Sequence, residues 1–208
     1  MSKDNYKKFA KRYDKFFEPM NAGLRSIGIK LYPPQAGMAV LDVGCGTGIH
    51  LQRYLKAGCR VSGIDASPSM LEIARQRLGH EAALELGQAS LMPWADGSFD
   101  LVLSMLMLHE LDASVHAPIF GEIKRVLKKD GRILLVDFHP GPVRGLKGWF
   151  TKFVIFLSEL AAGGEHFKNY RKFIAAKGLK ALIEAQNLTV EQHKILSGGN
   201  MVIYLLKA

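Results

Sequence analysis

The chain has 208 residues, 48% of them hydrophobic, which excludes an intrinsically disordered protein and predicts one domain with a sizeable core. Its formal net charge is +9, and its two cysteines, Cys45 and Cys59, exclude a disulfide framework and a CxxC metal site. No metal is therefore predicted, and a reducing cytoplasm is the expected compartment, since the N-terminal segment lacks the apolar core of a secretory signal.

The beginning of the chain predicts a helix, a break and a buried strand. Apolar and aromatic residues from Tyr6 to Met20 recur at helical spacing and predict an amphipathic, basic helix within residues 1–30. Two prolines in residues 31–37 end this helix, and the apolar run 38–43 then predicts a buried strand.

Strands and helices alternate from there to residue 140. Ser67 is a natural N-cap for the second of these helices, and Pro68 suits its first position. This alternation predicts an α/β fold with a doubly wound, Rossmann-like parallel sheet covered by helices on both faces. The predicted strands are 60–65, 82–86, 99–106 and 132–138, and the predicted helices are 49–57, 67–78 and 118–128.

The pattern changes after Pro140. Residues 141–180 predict a helical cap, and a further helix at 179–186 precedes an antiparallel strand pair, 188–196 and 200–208. The expected organisation is a single domain in four parts. These parts are an N-terminal cap helix in 1–30, a ligand-binding core in 38–140, a helical substrate cap in 141–180, and the last helix end with the strand pair in 181–208.

The basic excess lies at the two caps. Residues 1–30 carry eight Lys or Arg against three acids, residues 141–180 carry eight against two, and residues 39–140 carry ten against twelve. Solvated helix faces explain such segments, and a positive rim that favours anionic partners explains them equally. The apolar stretch 149–162 is too short and too charged for a membrane span, which leaves a core, a greasy pocket or a peripheral membrane face.

Three glycines stand in five positions directly behind the first strand, in the sequence VLDVGCGTG. Gly44, Gly46 and Gly48 predict a turn that brings backbone N–H groups and a helix N-terminus close to a ligand. The dinucleotide fingerprint G-x-G-x-x-G fails here by one residue, because Ile49 stands where its third glycine would fall. This spacing disfavours a nicotinamide-dependent dehydrogenase.

Asp65 ends the second predicted strand, 17 residues after the last glycine of the turn. A carboxylate in that place can accept hydrogen bonds from both hydroxyls of a ribose. The glycine turn and Asp65 together therefore predict a site for a nucleoside-containing ligand.

Four ordered motifs resemble the class I S-adenosylmethionine-dependent methyltransferases, in particular the branch of quinone C-methyltransferases and bacterial phospholipid N-methyltransferases. The motifs are VLDVGCGTG, GIDASPSML, LMPWADGSFDLVLS and EIKRVLKKDGRILLVD. The resemblance implies S-adenosylmethionine as cofactor, S-adenosylhomocysteine as its product, and a sheet of six parallel strands and one antiparallel strand. It also implies that the acceptor is a small molecule or a lipid-like or quinone-like compound.

The resemblance also implies roles for individual residues. The glycine turn passes under the methionine part of the cofactor, Asp42 orients its amino group, and Asp65 holds the ribose. Gln88 departs from the acidic residue usual at its position, but its carbonyl can still accept the exocyclic amine of adenine. The other implied cofactor contacts are Ala66, Ala89, Ser104 and Tyr13.

Methyl transfer requires alignment of the nucleophile, and a base only if the nucleophile must lose a proton. His109 and Glu110 follow the fourth strand, where this family builds its substrate pocket, and they are the predicted catalytic residues, with His109 as the base. A loop or packing role would explain His109 equally well. His166, Tyr170 and His139 are further candidates.

Two other functions stay open. The basic composition permits a nucleic-acid methyltransferase, although the sequence SMLM after the fourth strand lacks planar side chains to hold a flipped base. The same motifs also permit a non-catalytic protein that binds S-adenosylmethionine. The acceptor atom and the oligomeric state are not predicted.

Overall fold

Seven strands form one twisted sheet in the order β3-β2-β1-β4-β5-β7-β6. The computed structural model describes residues 4, 6 and 10–208, so the rest of the predicted N-terminal helix before Ala10 lies outside the described residues. The strands are β1 Ala39–Val43, β2 Arg60–Asp65, β3 Ala82–Leu86, β4 Phe99–Met105, β5 Leu127–Phe138, β6 Thr189–Leu196 and β7 Met201–Lys207.

Neighbouring strands from β3 to β5 pair in parallel, and β7 runs antiparallel to both β5 and β6. Six strands therefore point one way and one points the other. The predicted fold class is confirmed, including the terminal antiparallel pair. The helices are α1 Ala10–Leu31, α2 Ile49–Lys56, α3 Pro68–Leu78, α4 His116–Val126, α5 Gly145–Ala162, α6 Gly164–Ala175 and α7 Leu179–Ala185.

Helices cover both faces of the sheet, because the central strands are apolar on both sides. On one face Leu24 of α1, Leu51 of α2 and Leu71 of α3 belong to one buried cluster. On the other face Phe120 of α4 and Ile183 of α7 belong to a second cluster. The carboxyl ends of β1, β2 and β4 form the edge where a ligand is expected.

The predicted boundaries of two elements, α4 and β5, were wrong by two to five residues, since α4 spans His116–Val126 and not 118–128. Helix α4 begins at His116 and not at Pro118, because Asp112 caps a preceding short turn by accepting the Ser114 N–H at 3.1 Å. Pro118 fits inside the first turn, where its missing N–H would have had no helical partner. Strand β5 begins at Leu127 and not at 132.

The early start of β5 has a structural reason. Leu127 pairs with Phe99 and Arg132 with Leu101, so residues 128–131 loop out opposite Asp100. Asp130 and Gly131, which precede the predicted strand, thus lie in an irregularity within β5. Among the described helices, none has the length and apolarity that crossing a membrane requires.

Candidate active site

The turn between β1 and α2 brings three glycines to the carboxyl edge of the sheet. Gly44, Gly46 and Gly48 have φ angles of 77°, 53° and 73°, in the left-handed region that favours glycine. A Cβ on Gly44 would lie 2.7 Å from Met107, and one on Gly48 would lie 2.8 Å from Leu78. A Cβ on Gly46 would meet no described atom within 4 Å. Two glycines therefore permit close packing, and Gly46 leaves free space above the turn.

Asp65 ties the end of β2 to this turn. Its carboxylate accepts the N–H of Gly46 at 2.8 Å and the N–H of Ser67 at 2.8 Å. Burial raises the pKa of Asp65, while these two hydrogen bonds oppose the rise. The side chain is thus held in one orientation at the edge of the turn.

Asp42, in β1, is a buried acid with an unsatisfied oxygen. Its side chain is buried, and its Oδ1 has no hydrogen-bond partner among the described residues. Burial raises the pKa of Asp42 well above its usual range, and the charge of Arg25 opposes this. A buried polar atom without a partner costs about 1–3 kcal/mol. An amino group bound at this edge would satisfy it, so the residues fit a cofactor that carries an amine and a ribose.

Helix α1 covers this edge and is attached to it by polar contacts. Asp14 accepts a hydrogen bond from the Thr47 hydroxyl at 2.7 Å and forms an ion pair with Arg77. Tyr13 on the same helix packs its ring 5.9 Å from that of Tyr6. Burial, followed by the charge of Glu110, raises the pKa of Tyr13. The predicted contact of Tyr13 with the cofactor stays a prediction.

The other predicted cofactor contacts differ in exposure. Ala66 follows β2 and is exposed, as is Gln88 after β3, while Ala89 is half-buried. Ser104 is buried at the end of β4 and donates its hydroxyl to the Val43 carbonyl at 2.9 Å, which joins β4 to β1. Their predicted contacts with the cofactor stay predictions.

A chain of two histidines and three carboxylates runs from the end of β5 to the N-terminal segment; we call it the His–carboxylate network. His109 Nδ1 lies 2.7 Å from Asp137, and His109 Nε2 lies 3.5 Å from Glu159. His166 Nε2 lies 2.7 Å from the same oxygen of Glu159, and His166 Nδ1 lies 3.3 Å from Glu110. The network therefore joins the sheet to α5 and α6.

The outer end of this network meets a phenol. Tyr6 donates its hydroxyl to Glu110 Oε2 at 2.8 Å, and burial, followed by the charge of Glu110, raises the pKa of Tyr6 well above its usual range. Tyr6 is thus a hydrogen-bond donor. The charge of Glu110 contributes to the raised pKa of Asp65, after burial and the two backbone hydrogen bonds.

The charges in this network reinforce one another. Burial lowers the pKa of His109, but the charge and hydrogen bond of Asp137, followed by Glu159, raise it to about 10. Burial opposes the charged form of His166 as well, yet its hydrogen bonds to Glu110 and Glu159 raise its pKa to about 9. Burial raises the pKa of Glu159, and hydrogen bonds from both histidines lower it to about 2. Both histidines are therefore cationic at neutral pH.

This arrangement changes the interpretation of His109. It is 3% exposed, and both ring nitrogens face carboxylates, so it offers no free nitrogen to a substrate. Tyr170 packs its ring 6.3 Å from His109, and His139 is held at 3.0 Å from the Gly199 carbonyl. Donor atoms of His109, Glu159 and His166 lie within 4.8 Å of one another and form one ion-pair cluster.

Three members of the site were not predicted from the sequence: Asp137, Glu159 and Tyr6. Asp137 stands near the end of β5, at the edge where the other strands contribute acids, which is a usable signal. Glu159 is an acid within an otherwise apolar helix, and such a charge needs a partner. Tyr6 carries no comparable signal.

Comparisons with known proteins agree with the geometry. The sequence pattern of a family described as a methyltransferase domain matches residues 41–135. A demethylmenaquinone methyltransferase of Lactobacillus johnsonii is 31% identical over 87% of this chain and 82% of its own length. A ubiquinone/menaquinone biosynthesis C-methyltransferase of Methylobacterium nodulans is 28% identical over 96% of this chain and 87% of its own length.

The fold also has solved counterparts. The crystal structure of a SAM-dependent methyltransferase from Aquifex aeolicus has a TM-score of 0.66 at 17% identity, and the match covers 96% of this chain and 98% of the other. The extent of the Lactobacillus match, together with the glycine turn and the acidic strand end that lie within the matched domain, establishes the family. The chain belongs to the class I S-adenosylmethionine-dependent methyltransferases.

Proposed function

We propose that this methyltransferase acts on a hydroxylated aromatic acceptor of the quinol type that carries a lipid-like tail. The observation that carries the proposal is the contact between the Tyr6 phenol and Glu110, because a phenolic hydroxyl fits this carboxylate at hydrogen-bond distance. The two relatives described above are named for quinone methylation, which supports the same acceptor class.

The cofactor is assigned to the edge formed by the glycine turn. S-adenosylmethionine, when bound, supplies an activated methyl group. In this proposal Asp65 holds the ribose hydroxyls and Asp42 accepts from the amino group, which would satisfy its unpaired oxygen. Gly46 leaves room for the ligand above the turn, and Tyr13 closes over it from α1.

Glu110 is the proposed base. The histidines are cationic at neutral pH and bound on both sides, so a carboxylate must accept the proton of the acceptor hydroxyl. Glu110 is the most exposed carboxylate of the network, with 21% of its side chain accessible. His166 stabilises the negative charge of Glu110, and His109 is a positioning residue that fixes Glu159 and thereby His166. This role replaces the direct base role first expected for His109.

The segment around Tyr6 would have to move for an acceptor to reach Glu110. Tyr6 occupies one oxygen of Glu110, and Asp4 is held by the Ser67 hydroxyl at 2.8 Å. Asp4 also accepts the Ser69 N–H at 3.3 Å, and each of these hydrogen bonds costs about 1 kcal/mol to exchange. The proposal includes an anionic tail or head group on the acceptor, which the basic segments 1–30 and 141–180 support. It also includes a cytoplasmic location, which the two free thiols support.

A transfer assay with methyl-labelled S-adenosylmethionine tests this proposal. The acceptors are a reduced short-chain demethylnaphthoquinone, phosphatidylethanolamine vesicles and bulk tRNA, with Asp65→Ala as the inactive control. We expect label in the quinol and S-adenosylhomocysteine in equal amount. Label in the lipid or the tRNA alone would contradict the acceptor class. Binding of S-adenosylmethionine without turnover on a broad panel would favour a non-catalytic binding protein.

A further inference from the structure

The apolar side of helix α5 faces solvent and not the core of the protein. Six large apolar residues recur at helical spacing along it, and these six lie within about 100° of the helix circumference. Leu146 is 91% exposed and Phe150 is 68% exposed, far more than large apolar side chains of a core-facing stripe. We call this stripe the apolar face of α5, and it consists of Leu146, Trp149, Phe150, Phe153, Leu157 and Leu160.

The opposite side of α5 attaches the helix to the protein. Gly148 packs against the backbone of Gly198, and its carbonyl accepts the Asn200 amide at 2.8 Å. Glu159 on the same side is buried and lies 2.7 Å from His166 in the His–carboxylate network. The inward side thus carries Gly148 and Glu159 together with Ile155, which packs against the core, so the orientation of the helix is fixed and its apolar face stays exposed among the described residues.

Basic residues border this face. Lys147 and Lys152 are exposed on either side of the stripe, and the Lys152 ammonium lies 5.4 Å from the centre of the Trp149 ring. The face continues onto α6, because the rings of Phe156 and Phe167 lie 5.3 Å apart. A shallow depression on α6 is lined there by Phe167, Lys168, Arg171 and Lys172.

The charge distribution around the apolar face of α5 indicates what kind of partner would cover it. Residues 141–180 contain eight basic and two acidic residues, and one of the acids, Glu159, is buried. A second copy of the chain would bring the same cations face to face, which is unfavourable. Aromatic and aliphatic side chains beside Lys and Arg are the composition of helices that lie in the surface of an anionic bilayer.

We propose that the apolar face of α5 inserts into the surface of an anionic phospholipid bilayer while Lys147, Lys152 and the α6 cations bind lipid phosphates. The reason for docking depends on the proposed function, because a quinol-type acceptor with a lipid tail is dissolved in the bilayer. Glu159 connects the inner side of the docked helix to the His–carboxylate network, so docking would place the bilayer one helix diameter, about 10 Å, from that network.

Vesicle sedimentation tests the docking. The full chain is mixed with vesicles of phosphatidylcholine alone or with one quarter phosphatidylglycerol. We expect at least tenfold tighter binding to the anionic vesicles and a loss of this preference at high salt. The double variant Phe150→Ser, Phe153→Ser should lower binding to anionic vesicles at least tenfold. Leu86→Ser, Leu91→Ser is the matched control, since it removes exposed apolar side chains elsewhere and should change binding less than twofold.

A fluorescence measurement gives a second readout on a folded protein. In a Trp94→Phe background Trp149 is the remaining tryptophan, and anionic vesicles should shift its emission to the blue and allow quenching by brominated lipid. Equal binding of the serine variants and the wild type would overturn the proposal. A concentration-dependent dimer that the Phe150 and Phe153 changes abolish would also overturn it, in favour of a second copy as the occupant.

The failure of this proposal is distinguishable from the failure of the proposed function. If the short-chain quinol is methylated in solution but vesicles are not bound, the bilayer proposal is wrong and the proposed function stands. If vesicles are bound through α5 but no quinol accepts a methyl group, docking stands and the acceptor class is wrong. We expect the serine variants to methylate the short-chain quinol at the wild-type rate.

Discussion

Two regions of this enzyme are stabilised by different kinds of contact. One is the edge proposed for the cofactor, at the glycine turn, and the other is the helical cap formed by α5 and α6. At the cofactor edge the backbone dominates: Asp65 accepts two N–H groups, and Gly44 and Gly48 permit approaches that a Cβ would block. In the cap, side-chain charges dominate, because Glu159 of α5 joins His109 and His166 from different parts of the chain. The first region should therefore respond to changes through ligand affinity, and the second through stability and pH.

The largest expected effect is at the cofactor edge. Asp65→Ala should weaken the binding of S-adenosylhomocysteine at least 100-fold, because the ribose loses its acceptor and the turn loses the bond to Gly46. Isothermal calorimetry measures this affinity. Glu85→Gln, an exposed acid on β3, is the control and should bind as the wild type does. Affinity within threefold of the wild type in Asp65→Ala would contradict the assignment.

Stability should respond most to a change in the cap. Glu159→Gln removes the carboxylate that the buried His109 and the partly buried His166 share, and it should lower the free energy of unfolding by about 3 kcal/mol, or roughly 10 °C in Tm. The control is Glu165→Gln, because Glu165 is exposed at the start of α6. Its effect should stay within about 0.5 kcal/mol. Similar Tm values for both variants would show that the network does not hold the cap.

The pH dependence of Tm provides a second test of the role of charges in the cap. The pKa values of His109 and His166 are raised to about 10 and about 9, above the value of about 6.5 expected in the unfolded chain. Their contribution to stability is therefore complete below about pH 6.5 and is lost as pH rises through 9 and 10. The pKa of Glu159 is lowered to about 2, so its contribution is lost only on acidification through that value. Tm should fall between pH 7 and 10 in the wild type and fall less in Glu159→Gln.

A smaller effect is expected at His109. Because it positions Glu159 and does not face the acceptor, His109→Asn should lower kcat about tenfold and change the affinity for S-adenosylhomocysteine less than threefold. It should also flatten the fall of Tm at high pH. His193→Asn, on the exposed strand β6, is the matched control. If turnover instead fell by three orders of magnitude or more, His109 would be restored as the direct base.

The two regions also differ in how well the sequence predicts them. The glycine turn, the Ser67 cap and the apolar strands are local features, and the structure has Ser67 accepting the Met70 N–H at 3.2 Å as expected. The network depends on contacts between residues far apart in the chain, such as His109 with Asp137 and Glu159. His109 and Glu110 were selected by their place after β4, but the protonation of His109 could not be predicted without its buried neighbours. The orientation of α5 could not be predicted from the sequence either, since the periodicity of its apolar residues does not say which side of the helix faces the core.

The most direct test of the account is to measure kcat and cofactor affinity together in Glu110→Gln. If Glu110 accepts the proton of the acceptor and takes no part in holding the cofactor, kcat with the reduced quinol should fall about 100-fold. The Kd for S-adenosylhomocysteine should stay within threefold of the wild type, as both values should in the exposed neighbour variant Asp112→Asn. Equal losses of kcat and affinity, or an unchanged kcat, would contradict the separation of the two regions.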